Sequence, residues 1–105
     1  MTVRILLVDD HTVLRQGVKV LLNLDSTLEV VAEASNGVDA IKLAHELKPD
    51  VVLMDLMMPV MDGLSAITVI RRELPETEIV AVTSLLEDNI VTEVVRAGAI
   101  GYVLK

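Results

Sequence analysis

Cysteine, tryptophan and phenylalanine are absent from the chain, and Tyr102 is its single tyrosine. Without cysteine there is no disulfide framework, no thiolate zinc site and no cysteine nucleophile. Positive charge is scarce: 9 Lys and Arg stand against 16 Asp and Glu, and the formal net charge is −7. Direct nucleic-acid binding, which normally needs a basic face, is therefore not expected. No apolar run approaches the roughly 18–20 residues that span a bilayer. Met1-Thr2-Val3-Arg4 leads straight into an apolar run with no small-residue cleavage site, so neither a membrane span nor a signal peptide is expected. These absences point to a cytoplasmic location. With only 5 Gly and 3 Pro, no linker or low-complexity stretch stands out. What is present is aliphatic: the hydrophobic share is 52%, and 105 residues suffice for one domain with one core.

Short apolar runs recur at Val3–Val8, Leu28–Ala34, Val51–Asp55, Glu78–Thr83 and Ile100–Leu104. Continuous runs rich in Val, Ile and Leu suit strands buried on both faces of a parallel sheet. Helical periodicity fills the intervals. Val13, Leu14, Gly17, Val18, Leu21 and Leu22 form one stripe. Ile41, Ala44 and Leu47 form a weaker one, Leu64, Ile67, Arg71 and Leu74 a third, and Ile90, Val91, Val94 and Val95 a fourth. The punctuation agrees. Asn36 and Asp62 are placed to cap the second and third helices, Pro49 and Pro75 follow their ends, and Gly98 follows the fourth. The order β-α-β-α-β-α-β-α-β predicts a doubly wound α/β sheet with helices on both faces. Ligands of such a sheet bind outside the carboxyl ends of its strands. A fifth helix is expected after the last strand. The chain stops at Lys105, so the face beside the first helix is expected to be an interface.

That edge is where polar residues collect. The first run ends in Asp9-Asp10, the third in Asp55, the fourth in Thr83-Ser84 and the fifth in Lys105. Three carboxylates and one ammonium sum to −2. Two carboxylates about 4 Å apart repel by about 4 kcal/mol at an effective dielectric of about 20. A divalent cation relieves this, and hard oxygen ligands with open positions suit Mg²⁺ carrying a phosphoryl oxygen. Singly, each residue has a plainer reading. Asp10 could cap the first helix, Thr83 could be an ordinary strand residue, and Lys105 could be solvated. Asp55 is harder to dismiss, because a carboxylate abutting a buried strand is costly without a partner. His11 and His45 read as surface residues, and Met57, Met58 and Met61 as loop packing. The first strand is followed by Asp-Asp-His, not a Gly-rich phosphate loop, so a dinucleotide site is unsupported.

The stretches Leu6-Leu7-Val8-Asp9-Asp10-His11, Asp50 to Pro59, Met61-Asp62-Gly63, Val82-Thr83-Ser84 and Ala97 to Lys105 resemble the receiver domain of bacterial two-component response regulators. Val13 to Gly17 and Glu29 to Gly37 are similar to the NarL/FixJ (LuxR-type) subfamily. The resemblance implies a flavodoxin-like five-stranded sheet of order 2-1-3-4-5, here without its final helix. Residues 1–105 would be one receiver domain, truncated at its C-terminus and with no DNA-binding domain. Asp55 would be the phosphoacceptor. Mg²⁺ would be held by Asp10, Asp55 and the backbone carbonyl of Met57, with Asp9 acting largely through water. Thr83 would be the switch hydroxyl, Lys105 the phosphate-binding lysine and Tyr102 the switch aromatic. Pro59 and Gly63 would shape the loop.

The function implied is a switch, not an enzyme acting on other molecules. A sensor histidine kinase would phosphorylate Asp55, and a transcriptional output domain outside this chain would respond. Met57 and Leu85, two residues after Asp55 and Thr83, are apolar, so slow self-dephosphorylation is expected. Self-association, as a dimer, is also expected. The alternatives are a Mg²⁺-dependent aspartyl-phosphate phosphohydrolase and a stand-alone phosphotransfer or interaction module. Phosphohydrolase chemistry usually needs an acid-base carboxylate where Met57 stands.

Overall fold

The structure, a computed structural model, describes residues 2–58, 60–83 and 88–104. Five strands, β1 (Val3–Val8), β2 (Leu28–Ala34), β3 (Val51–Asp55), β4 (Glu78–Thr83) and β5 (Gly101–Leu104), alternate with four helices. The helices are α1 (Thr12–Asn23), α2 (Gly37–Leu47), α3 (Gly63–Glu73) and α4 (Asp88–Ala97). All strand pairs are parallel, in the order β2-β1-β3-β4-β5, as expected for this pattern. Four of the five strands have the predicted bounds. β5 begins at Gly101, one residue late, because Ile100 only donates its N–H to the carbonyl of Ile79 and leaves its side chain exposed.

The two faces of the sheet are unequal. Leu6, Val8, Val52, Met54, Ile79 and Ala81 are all buried, and they pack with Ala40 and Ala44 of α2, Ala66, Ile67 and Ile70 of α3, and Val94 of α4. The small residues of α2 bring its backbone close to the sheet. On the opposite face, among the described residues, α1 is the one helix, and none of its residues is buried. Its predicted stripe is therefore corrected: Val13 is 87% and Leu21 68% exposed. Leu14 and Val18 instead line an apolar groove of about 210 Å³ with Leu7, Leu53, Val82 and Val103.

The predicted caps form where side-chain chemistry allows. Asn36 accepts from the N–H of Asp39, and Asp62 from that of Ser65. Each satisfies one N–H that the helix start leaves unpaired. The α2 C-terminus ends on Lys48 with φ 46°, a left-handed position usually given to glycine. Arg4 of β1 compensates, donating through Nη1 to the carbonyls of Leu47 (2.8 Å) and Lys48 (3.2 Å). Gly98, with φ 119°, turns the chain from α4 into β5. A Cβ there would strike the stem of Arg71, whose Nε donates to the Gly98 carbonyl.

Candidate functional site

Register brings the polar residues together. Val8 of β1 lies beside Met54 of β3, so the residues that follow, Asp9 and Asp55, emerge side by side. Asp55 lies beside Val82, which puts Thr83 one residue further along β4, and Thr83 lies beside Leu104. The β1–β3 boundary is also where the chain reverses its direction of winding, the crevice in which such sheets bind ligands. Asp9 is 6%, Asp55 2% and Thr83 0% exposed. Asp10 is half-buried. Tyr102 lies beside Ala81, two residues before Thr83 on the same face of the sheet, and packs against the main core. Lys105, Pro59 and Leu85 lie outside the described residues.

Ligand atoms of Asp9, Asp10, His11 and Asp55 fall within 4.8 Å of one another. His11 is a surface residue as expected, with its side chain 61% exposed, but it is not isolated: its Nδ1 stands 3.0 Å from Asp9 Oδ1, 3.1 Å from Asp10 Oδ1 and 3.9 Å from Asp55 Oδ2. Its adjacency to the acid pair was the only signal in the sequence. Asp10 is a correction: His11, not Asp10, occupies the N-cap of α1, and it makes no side-chain capping bond there.

Local structure holds the acids in place. The N–H of His11 donates to Asp9 Oδ1 at 2.8 Å, and the N–H of Met57 to Asp55 Oδ1 at 3.2 Å. Arg15 of α1 donates through Nη1 to the backbone carbonyl of Asp9 at 2.6 Å, and through Nε to Glu33 of β2 at 3.1 Å. This ties the turn that carries the acid pair to the neighbouring strand. Gly63 opens α3 directly against β3. A Cβ at that position would collide with the carbonyl oxygen of Asp55, so the close approach requires glycine. In the same loop Val60 takes φ 70°, a strained conformation for a β-branched residue.

The donor set fits a hard divalent cation. It offers carboxylate oxygens from three residues. Asp10 Oδ1 is shielded from solvent and makes no well-aligned hydrogen bond among the described residues, with His11 Nδ1 3.1 Å away. Such an atom is costly unless a cation approaches it.

The model of the response regulator receiver domain matches residues 5–105. The chain belongs to the receiver domain family. Over its full length it is 46% identical to the response regulator protein VraR of Staphylococcus aureus. This receiver spans about half the length of the curated relatives it matches. A LuxR-family two-component response regulator from Aurantimonas superposes with a TM-score of 0.95 at 37% identity, covering 100% of this chain and 75% of that one. The isolated receiver of RcsB from Salmonella enterica, solved with the phosphomimetic BeF3−, superposes with a TM-score of 0.91 at 27% identity. That match covers 100% of this chain and 78% of that one. Among the described residues no helix is long and apolar enough to cross a membrane.

Proposed function

We propose that this receiver domain accepts a phosphoryl group on Asp55 from a phosphohistidine of a sensor kinase, in the cytoplasm, and relays the change to an output domain. The observation that carries this reading is the convergence of buried Asp9 and Asp55 with Asp10 at the switch point of the sheet. Residues 1–105 act as one receiver unit.

Asp10, Asp55 and the backbone carbonyl of Met57 would hold Mg²⁺, with Asp9 acting through water. Bound there, the ion neutralises the repulsion between carboxylate and phosphoryl oxygens. A carboxylate oxygen of Asp55 attacks phosphorus, an O–P bond forms, the P–N bond breaks, and the kinase imidazole leaves. The Met57 N–H, already 3.2 Å from Asp55 Oδ1, helps to orient the nucleophile. Lys105 stabilises charge on the transferring oxygens.

The product adds about −1.5 to −2 charges and new acceptor oxygens at the edge of the sheet, by analogy with other phosphorylated side chains. Thr83 donates its hydroxyl to one of these oxygens. Because Thr83 and Tyr102 share a face on adjacent strands, inward movement of Thr83 makes room for the ring of Tyr102. The surface of α4 and β5 changes with it, a two-state element biased by local charge.

Intact mass after incubation with acetyl phosphate and Mg²⁺ tests this reading. The wild type should gain the mass of one phosphoryl group, and Asp55→Asn should gain none. Equal gain in both would overturn it. Turnover of a phosphomonoester would instead favour the phosphohydrolase.

A further inference from the structure

We infer that His11 is itself a ligand of the cation, and that its imidazole makes the pocket prefer divalent transition ions such as Co²⁺ and Ni²⁺ over Mg²⁺. The inference rests on the cation-binding reading given above and deepens it by naming the class of ion.

Geometry supports direct ligation. Ligands about 2.1 Å from an octahedral ion stand about 3.0 Å apart at adjacent positions and about 4.2 Å apart across the ion. His11 Nδ1 lies 3.1 Å from Oδ1 of the direct ligand Asp10, the separation of adjacent ligands, and is oriented by its 3.0 Å hydrogen bond with Asp9 Oδ1. Its 3.9 Å to Asp55 Oδ2 falls between the adjacent and opposite spacings. An ion entering among these atoms could meet nitrogen and oxygen ligands together, with the imidazole proton on Nε2.

The placement of His11 adds a second argument. N-cap positions favour Ser, Thr, Asp or Asn, whose oxygens accept from the helix N–H groups. Histidine stands here instead and makes no capping bond, and its ring turns back toward the acid pair. The His11 side chain is 61% exposed, so an ion can reach it from solvent.

Chemistry then sets the preference. Imidazole favours Co²⁺, Ni²⁺, Cu²⁺ and Zn²⁺, whereas Mg²⁺ keeps oxygen ligands and several waters. Removing a second-shell partner of a metal site costs about 10–100-fold in affinity, so removing a direct ligand should cost at least about tenfold.

The test is calorimetric titration of the chain with Co²⁺, Ni²⁺ and Mg²⁺, wild type against His11→Ala, with circular dichroism to check folding. Pulsed electron paramagnetic resonance of the Cu²⁺-loaded proteins gives a readout independent of affinity. The expected result is a loss of about tenfold or more for Co²⁺ and Ni²⁺ in the variant, with Mg²⁺ affinity within about twofold of wild type. A nitrogen bound to Cu²⁺ should be present in the wild type and absent from His11→Ala. Unchanged Co²⁺ and Ni²⁺ affinities, or no bound nitrogen in the wild type, would overturn the inference. Intact Mg²⁺ binding in that case would leave the pocket standing and reduce His11 to a hydrogen-bonding neighbour. Failure of the wild type to bind any of these ions would overturn the cation-binding reading and this inference with it.

Discussion

At the scale of single residues, the acids were legible because they interrupt apolar sequence. Asp9 and Asp55 each close a run of Val, Leu, Ile or Met, and both are buried. His11 was not legible. A histidine beside two aspartates has the composition of an ordinary exposed turn, and only the path of the β1–α1 turn brings its ring back to the carboxylates. Met57 bears on the lifetime of the phosphorylated state. Its N–H orients Asp55, but its thioether is largely exposed and offers no group to position an attacking water. The acyl phosphate is expected to outlast the donor by minutes or longer. Removal of acetyl phosphate followed by timed intact-mass measurements checks this, and decay within seconds would contradict it.

Secondary-structure elements were legible where local chemistry decides them, as at the caps Asn36 and Asp62. The β2 strand shows what local chemistry leaves open. Its register against β1 shifts between Ile5 and Leu6, so that Val30 lies beside Ile5 but Ala32 beside Leu6. The extra residue, Val31, is a bulge, and nothing in a run of Val and Ala marks it. Its effect is large, because one residue of shift exchanges the two faces of a strand. Beyond the bulge, Glu33 lies beside Leu7 and faces α1, where Arg15 and Lys19 bind it. Burial raises the Glu33 pKa, but hydrogen bonds and charge from Lys19 and Arg15 outweigh it and hold the carboxyl below its ordinary 4.5. A depressed folded pKa means that the contribution of Glu33 is present above pH 4.5 and fades as pH falls through the lower folded value. Glu33→Gln should therefore lower Tm by a few degrees at pH 7, in line with about 1 kcal/mol or less for a partly exposed ion pair. The gap to wild type should narrow below pH 4.5. Thermal melts of both proteins at pH 7 and pH 3 measure this. An unchanged gap would show that the ion pairs do not act through the charge of Glu33.

For the whole molecule, the order and direction of the strands followed from alternating apolar and periodic segments. The inequality of the two faces was only partly legible. A helical stripe in the sequence gives the side that can be buried, whereas burial depends on what packs there. The three helices α2, α3 and α4 bury the shared core against one face, whereas Val13, Val20 and Leu21 of α1 and Leu24 at its C-cap are between 62% and 87% exposed. Self-association through that apolar area and the groove beside it is the expected outcome. Sedimentation velocity over a concentration series should show a dimer that Leu21→Asp weakens, and a folded monomer at every concentration would contradict this. Register carries residues distant in sequence into one pocket, proposed to receive a phosphoryl group at a single carboxylate. Borohydride reduction of the acetyl-phosphate-treated protein converts an aspartyl phosphate to homoserine, which peptide sequencing locates. Homoserine is expected at position 55 alone. Homoserine at position 9 or 10, or at none of the three, would contradict it.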